Sequence, residues 1–238
     1  LAVVPWPPPA HAILLLVGTA SGLWVSGDGK AWARVSGLPD GPKQWLRAVQ
    51  SDTGYRLFVS ITAGKDQGLY ASSDLSNWTK VANGIYRLSA SFDRRMVLAT
   101  DEQQPGQALV LSASDQAVLK VPGPVLRAAG AFDGSAPIVL HSPLYGIGRL
   151  FRQAERWTLQ TGVASLAVAP DFPTSQVAIA GGFRTGIYLT RDAGQTWQQV
   201  LPDPTSLLKG SGEIVAVEFL SPTAVIAVNG GGLTWQDF

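Results

Sequence analysis

The sequence predicts an all-β fold, a six-bladed β-propeller of four-stranded antiparallel blades whose last blade is irregular. The main observation is a segment that occurs twice, as LAVVPWPPPAHAILLLVGTASGLWVSGDGKAWARV at 1–35 and LAVAPDFPTSQVAIAGGFRTGIYLTRDAGQTWQQV at 166–200. Fainter copies lie between them, at a spacing of about forty residues. Short apolar runs at such a period, separated by Gly, Pro and Asp turns, are typical of propellers.

Two series of positions give the number of repeats. The first strand of each repeat is predicted to start near Leu1, Leu46, Leu88, Leu126, Leu166 and Val215. The residue that opens the closing strand, normally a tryptophan, is Trp32, Trp78, Val118, Trp157, Trp197 and Trp235. Both series give six units, so we expect one domain over 1–238 that closes into a single ring.

The fifth repeat shows the predicted order of elements within one unit. Its four strands are expected at 166–169, 176–181, 186–190 and 197–200, with a turn at 170–173 between the first two. The sixth repeat is irregular. Its strands at 214–220 and 224–228 are followed directly by 233–238, a copy of a fourth strand, with the third strand reduced or missing. We favour a short sixth blade sealed by side-chain packing, and the alternative is a strand supplied from outside.

Composition agrees with buried strands and excludes several classes of function. Hydrophobic residues make up 46% and charged residues 15%, while 26 Gly and 16 Pro favour turns over helices, apart from one helical turn at 207–209. A net charge of +1 gives no basic face for nucleic acid, and the apolar run 12–17 is too short to cross a membrane. Since cysteine is absent, we expect an extracytoplasmic location (secreted, periplasmic or cell-surface), if need be within a membrane-associated complex.

The most specific motif lies between the third and fourth strands of the fifth repeat. Residues 190–197, TRDAGQTW, fit the pattern Ser/Thr-x-Asp-x-Gly-x-Thr-Trp, and shorter versions are 26–32 and 72–78. In such a turn the carboxylate accepts backbone N–H bonds, Gly takes a positive φ, and Trp covers the turn. We expect this structural role, and no calcium or other metal, for Asp28, Trp32, Asp74, Trp78, Asp192, Gly194 and Trp197.

With this motif the whole chain resembles the bacterial Asp-box, or BNR-repeat, propellers, whose superfamily includes sialidases, sortilin-type domains and photosystem II assembly-factor propellers. The resemblance implies that the Asp-box turns lie at the blade periphery, away from the ligand face. A sialidase would carry an arginine triad, a Tyr/Glu nucleophile pair and an acid/base Asp. The Phe-Arg-Ile-Pro signature is absent, and Phe183-Arg184-Thr185 matches it poorly.

The titratable residues outside the motif predict no catalytic site. No glutamate stands beside a tyrosine in an obvious pair, and the four glutamates are Glu102, Glu155, Glu213 and Glu218. His11 and His141 fall at or beside second strands, where a single histidine is expected to serve packing or capping. We therefore expect no enzyme and no cofactor.

The candidate binding residues are arginines at the starts of first strands, together with nearby aromatic residues. They are Arg47, Arg87, Arg127, Arg184, Trp45, Tyr86, Tyr145 and Phe183. Arginine beside aromatic rings suits anionic or planar groups and protein interfaces. The alternative is that the first three arginines pair with Asp52, Asp93 and Asp133, which follow them by five or six residues.

These residues predict a non-catalytic interaction or assembly module that binds a protein partner, or an anionic or glycan ligand, through one face. Two alternatives from other classes stay open: a reduced sialidase-like glycosidase, and a structural subunit of a larger extracytoplasmic complex.

Overall fold

The computed structural model describes residues 2–5, 13–51, 54–121, 123–151, 154–159, 163–182, 186–201, 214–219, 221, 224–229 and 232–237. They belong to two compact units, one of Leu1–Ala90 with Arg94–Leu119 and the other of Ser91–Asp93 with Lys120–Phe238. Both units consist of antiparallel sheets in which sequence neighbours pair, and each sheet corresponds to one predicted repeat. The prediction of an all-β chain is confirmed.

Three sheets follow one another from the N-terminal end. Sheet 1 contains β1 (Ala2–Pro5), β2 (Ile13–Gly18), β3 (Leu23–Ser26) and β4 (Ala33–Arg34); sheet 2 contains β5 (Lys43–Ser51), β6 (Gly54–Ile61), β7 (Gly68–Ser72) and β8 (Thr79–Ala82); sheet 3 contains β9 (Tyr86–Ala90), β10 (Val97–Asp101), β11 (Gln107–Leu111) and β12 (Gln116–Lys120). The middle strands are buried and the fourth strands are exposed, as in sheet 2, where every residue of β7 is buried and half of β8 is exposed. The fourth strand therefore forms the outer edge of each sheet.

The remaining sheets repeat this order. Sheet 4 contains β13 (Arg127–Gly130), β14 (Ile138–Ser142), β15 (Gly146–Phe151) and β16 (Ala154–Leu159); sheet 5 contains β17 (Val163–Val168), β18 (Ala178–Gly182), β19 (Gly186–Thr190) and β20 (Gln198–Leu201); sheet 6 contains β21 (Ile214–Phe219), β22 (Ala224–Asn229) and β23 (Gly232–Asp237). The turn predicted at 170–173 is instead part of a short helix, α1 (Phe172–Ser175), which buries Phe172. Among the described residues, no helix is long and apolar enough to span a membrane.

The sixth sheet corrects the prediction for the last strand. Residues 233–238 were expected to form a fourth strand, but β23 pairs directly with β22, with Trp235 opposite Ile226, and so takes the third position. The described loop at this hairpin is too short for another strand. The predicted helical turn at 207–209 lies outside the described residues, and closure of the sheets into one ring stays a prediction.

Apolar faces of consecutive sheets form the core within each unit. Leu16 and Leu23 of sheet 1 pack with Leu46, Leu57 and Val59 of sheet 2. Sheets 2 and 3 share a second cluster, sheets 4 and 5 a third that includes Phe172, and sheets 5 and 6 a fourth. An isolated antiparallel sheet would leave these faces in water, so each sheet depends on burial against a neighbour.

Three loops that precede fourth strands share one hydrogen-bond pattern. In the first loop, backbone N–H groups of Lys30 and Ala31 donate to Asp28 Oδ1 at 2.8 and 2.9 Å, and Gly29 N–H donates to Ser26 Oγ at 2.9 Å. The loops around Asp74 and Asp192 have corresponding bonds, and we call the three segments 26–32, 72–78 and 190–197 the Asp turns.

The position after the Asp in these turns requires a positive φ. Gly29 has φ +74° and Gly194 has φ +82°, but the same place in the second turn is taken by Leu75 at φ +63°. Backbone N–H groups of all three residues donate to the Ser or Thr hydroxyl that opens the turn. A leucine is costly in this conformation, so its backbone is held there by the surrounding hydrogen bonds.

Replacement of Trp197 by alanine should destabilise the protein. The ring packs against the Val139–Phe172 cluster, and its Nε1–H donates to Thr158 Oγ1 at 3.3 Å. We expect Trp197→Ala to lower the free energy of unfolding by about 3 kcal/mol, measured by urea denaturation. The matched control is Trp32→Ala, at a ring position that is 38% exposed, which should cost under about 1 kcal/mol. Equal losses in the two variants would contradict this assignment.

The Asp74 carboxylate should contribute to stability only when it is ionised. The backbone and side-chain N–H groups of Asn77, followed by the backbone N–H of Ser76, hold the pKa of Asp74 well below its ordinary 3.8. Because the folded pKa is lower than the unfolded pKa, this stabilisation is present above pH 3.8 and is lost as the pH falls through the folded value.

Urea denaturation across the acid range tests this pH dependence. Asp74→Asn should be less stable than the wild type at neutral pH, and the difference should shrink as the pH falls below 3.8. The control is Asp171→Asn, because the Asp171 side chain makes no capping hydrogen bond to α1. A difference for Asp74→Asn that is independent of pH would refute the role of its charge.

Candidate binding face

The starts of the first strands lie beside the penultimate residues of the second strands, and this register decides which side chains are equivalent. Trp45 pairs with Ser60, Arg87 with Thr100, and Arg127 with His141. Arg47 pairs with Phe58 and lies two residues further along its strand. The cause is that β5 is nine residues long and carries an irregularity between Lys43 and Trp45.

The prediction that Arg47, Arg87 and Arg127 all head their strands is therefore wrong for Arg47. Trp45 occupies the place in sheet 2 that arginine occupies in sheets 3 and 4. The Arg47 side chain is half-buried, and its Nη1 donates to the carbonyl of Leu46 at 2.8 Å. This bond directs the guanidinium back to its own strand.

Trp45 and Arg87 make direct contact in the first unit. The Arg87 Cζ lies 5.0 Å from the centroid of the Trp45 ring, which is a cation–π distance. The Arg87 Nε lies 2.7 Å from Glu102 Oε1 in the hairpin after β10, but its N–H is not aligned with the carboxylate as a hydrogen bond. The two charged side chains are 29% and 34% exposed, so the pair is partly open to solvent. We call Trp45, Arg87 and Glu102 the Arg87 cluster.

Tyr86 supports this cluster from the core. Its ring is buried, its backbone N–H donates to Ser60 Oγ at 3.1 Å, and its hydroxyl donates to the Asn83 carbonyl at 3.0 Å. Burial raises the pKa of the Tyr86 hydroxyl, and the nearby Asp101 charge adds to the effect. Tyr86 is therefore a packing residue rather than an exposed contact.

The alternative pairing of arginine with the aspartate five or six residues later is not what the strands allow. Arg87 and Asp93 lie at opposite ends of β9, as Arg127 and Asp133 do for β13. At about 3.3 Å per residue, six residues of extended strand separate two positions by about 20 Å. Asp133 Oδ1 instead accepts the Ser135 N–H at 2.9 Å, and Asp93 accepts the Ser91 hydroxyl at 2.6 Å. Asp52 lies outside the described residues.

The second unit carries a separate pair of aromatic rings. Tyr145, in the hairpin between β14 and β15, is 45% exposed, and its ring lies 5.1 Å from the Trp157 ring at an angle of 41°. Trp157 lies over Gly148, where a Cβ would approach the ring to 2.6 Å. His141, next to this hairpin, is buried. Phe183, Arg184 and His11 lie outside the described residues.

Sequence reasoning missed two contributors to this face. Glu102 was considered only as a catalytic residue, although its position just past the second strand brings it opposite the head of β9. Trp157 was counted only as a repeat marker. A third group, Lys43, is buried, and its Nζ donates to the carbonyls of Pro39 and Gly41 at 2.6 and 2.7 Å. Burial lowers the pKa of the Lys43 ammonium.

The arrangement suits binding better than catalysis. In the described part of the chain, no three His, Asp or Glu side chains come together as a possible metal site. Glu102 is taken up by Arg87, and Glu218 is exposed. The side chain of Glu155 and the whole of Glu213 lie outside the description. What the face offers is a half-exposed guanidinium on a flat indole.

No family model matches this chain, and no curated protein matches it either. Solved structures do. YCF48 bound to D1 peptide has a TM-score of 0.64 and 14% identity, over 95% of this chain and 75% of that one. Sqt1 from Chaetomium thermophilum has a TM-score of 0.63 and 13% identity, over 94% and 66%. A GH74 xyloglucanase from Xanthomonas campestris has a TM-score of 0.62 and 17% identity, over 91% of this chain and 33% of the enzyme.

These similarities confirm the predicted β-propeller fold, and at such low identity they show the fold alone. The chain spans only about a third of the length of the xyloglucanase. One of these structures is an enzyme, and another is in complex with a peptide.

Proposed function

We propose that this protein is a non-catalytic interaction module that binds a carboxylate-bearing segment of a protein partner at the Arg87 cluster. The observation that carries the proposal is the guanidinium stacked 5.0 Å above Trp45, with only its Nε directed to Glu102. A propeller related to the Asp-box type, acting outside the cytoplasm of a bacterium, is part of the same proposal. The peptide complex of YCF48 gives a precedent for a protein ligand on this fold.

The chemistry of the cluster favours an anion. Stacking on indole fixes the plane of the guanidinium, and a fixed fork of N–H donors suits a carboxylate, which it can bind through two charge-assisted hydrogen bonds. Glu102 already supplies one carboxylate at the Nε side, and its partial exposure limits the strength of that ion pair. A ligand carboxylate would take the terminal nitrogens, or compete with Glu102 for them.

This competition separates a binding role of Arg87 from a structural one. If Arg87 binds ligand, neutralising Glu102 removes an internal competitor and strengthens binding. If Arg87 serves only the fold, Arg87→Gln and Glu102→Gln lower stability together and change no binding.

Calorimetric titration with acetylated hexaglutamate at low salt tests the proposal. We expect binding that weakens as salt rises, a loss of about tenfold or more in Arg87→Gln, and tighter binding in Glu102→Gln. The matched control is Arg149→Gln, a half-buried arginine of β15 in the other unit, which should bind like the wild type. Equal binding by Arg87→Gln and wild type would refute the site.

A glycan ligand with the same charge is the other source of carboxylates. Trigalacturonate therefore serves as the second probe. Stronger binding of trigalacturonate than of hexaglutamate would assign the Arg87 cluster to an acidic glycan and overturn the protein partner.

A further inference from the structure

An open apolar groove lies beside Trp32 in the first unit, away from the residues of the Arg87 cluster. It measures about 350 Å³ and is lined by Leu14, Val25, Ser26, Gly27, Ala31, Trp32 and Ala33. Trp32 is 38% exposed, whereas its counterparts in the other two Asp turns, Trp78 and Trp197, are half-buried. The reason for this difference lies in what covers the counterparts.

Trp78 is covered by the chain that follows the outer strand of sheet 1. Gly37, at φ +76°, lies so close that a Cβ would stand 2.4 Å from the Ser76 carbonyl oxygen and 3.5 Å from Trp78 Cδ1. Leu38, the next residue, packs in the same cluster as Trp78. A small residue followed by an aliphatic one thus covers the second Asp turn.

Trp197 is covered in the same way in the second unit. Thr158, in the outer strand β16 of sheet 4, accepts the Trp197 Nε1–H at 3.3 Å and donates to the Gly194 carbonyl at 2.6 Å. The cover is again an extended segment with a small residue placed against the indole and the turn. In both cases it comes from the sheet that precedes the Asp turn in the chain.

Trp32 belongs to the first sheet in chain order, so no described sheet precedes it. Its Nε1–H donates to the Gly29 carbonyl at 3.3 Å, as Trp78 Nε1–H does to Leu75, so the turn itself is complete. What differs is the cover. The Ser26 hydroxyl, the polar side chain of the groove, is already engaged with Asp28 at 3.1 Å and with the turn. The groove therefore offers apolar contact rather than a set of polar groups for a small polar ligand.

We propose that the Trp32 groove is a docking site for an extended segment of another protein. That segment carries a small residue (Gly, Ser or Thr) over the indole, followed by an aliphatic residue that packs on Leu14, Val25 and Ala33. The two internal covers define this occupant, since the same kind of turn and tryptophan already bind such segments twice within the chain. The inference is independent of the anion site, because it uses other residues and another kind of contact.

The test uses a peptide that copies one internal cover. The probe is acetyl-RVSGLP-amide, the sequence of residues 34–39, and the readout is the indole N–H spectrum of the full chain, which has eight tryptophans. Trp32→Phe identifies the Trp32 signal by its loss. We expect a saturable shift of that signal with the probe, and at least tenfold weaker binding of acetyl-RVSVLP-amide, whose valine cannot approach the turn.

Two variants locate the binding. Ala33→Arg and, as a second replacement at an exposed groove position, Ala31→Arg should each weaken probe binding tenfold or more. Val118→Arg, at an exposed apolar position of sheet 3, should leave it unchanged. Binding that persists in both groove variants, or the absence of any saturable Trp32 shift, overturns the proposal. Sedimentation that shows a wild-type dimer abolished by Ala33→Arg would assign the groove to a second copy and overturn it as well.

Discussion

The contact on which the rest of the structure depends is that between the outer edge of one sheet and the Asp turn of the next sheet in the chain. Apolar burial brings sheet faces together, but it has no direction and does not by itself select how two sheets align. The close approach of Gly37 to Ser76, and the bonds of Thr158 to Gly194 and Trp197, do select an alignment. They also explain why the Asp turns retain their hydrogen bonds, since each turn presents the carbonyl and the indole that the neighbouring edge contacts.

The parts of this arrangement that are local could be predicted from the sequence. The bonds of Asp28 and Asp74 reach only two or three residues along the chain, so residue type and spacing determine them. The third strand of the fifth repeat, Gly186–Thr190, was predicted with its observed bounds for the same reason, because Gly and the Asp turn delimit it. The short helix at Phe172 was missed, since a proline-containing turn and one helical turn have similar composition.

The parts that depend on register could not be predicted. A single irregularity between Lys43 and Trp45 moves Trp45 into the position that aligned sequences give to Arg47. Strand register is decided by which side chains face the core across two strands, and a shift of one residue exchanges the faces. The ion pair of Arg87 with Glu102 joins two strands in the same way. The expected partner Asp93 was close in sequence, but an extended strand carries residues apart where a helix would bring them together.

Repetition also separates structural residues from candidate functional ones. A contact that recurs from sheet to sheet is required wherever two sheets meet, as with the covered tryptophans Trp78 and Trp197. Surfaces become available where the repeat is interrupted. Trp45 stands where arginine stands in two other sheets and thereby gives Arg87 a flat support, and Trp32 has a complete turn without its cover. The two interruptions differ in chemistry, one charged and one apolar. A propeller built from copies of one unit can therefore bind different features of a partner without any change to the contacts that hold its sheets together.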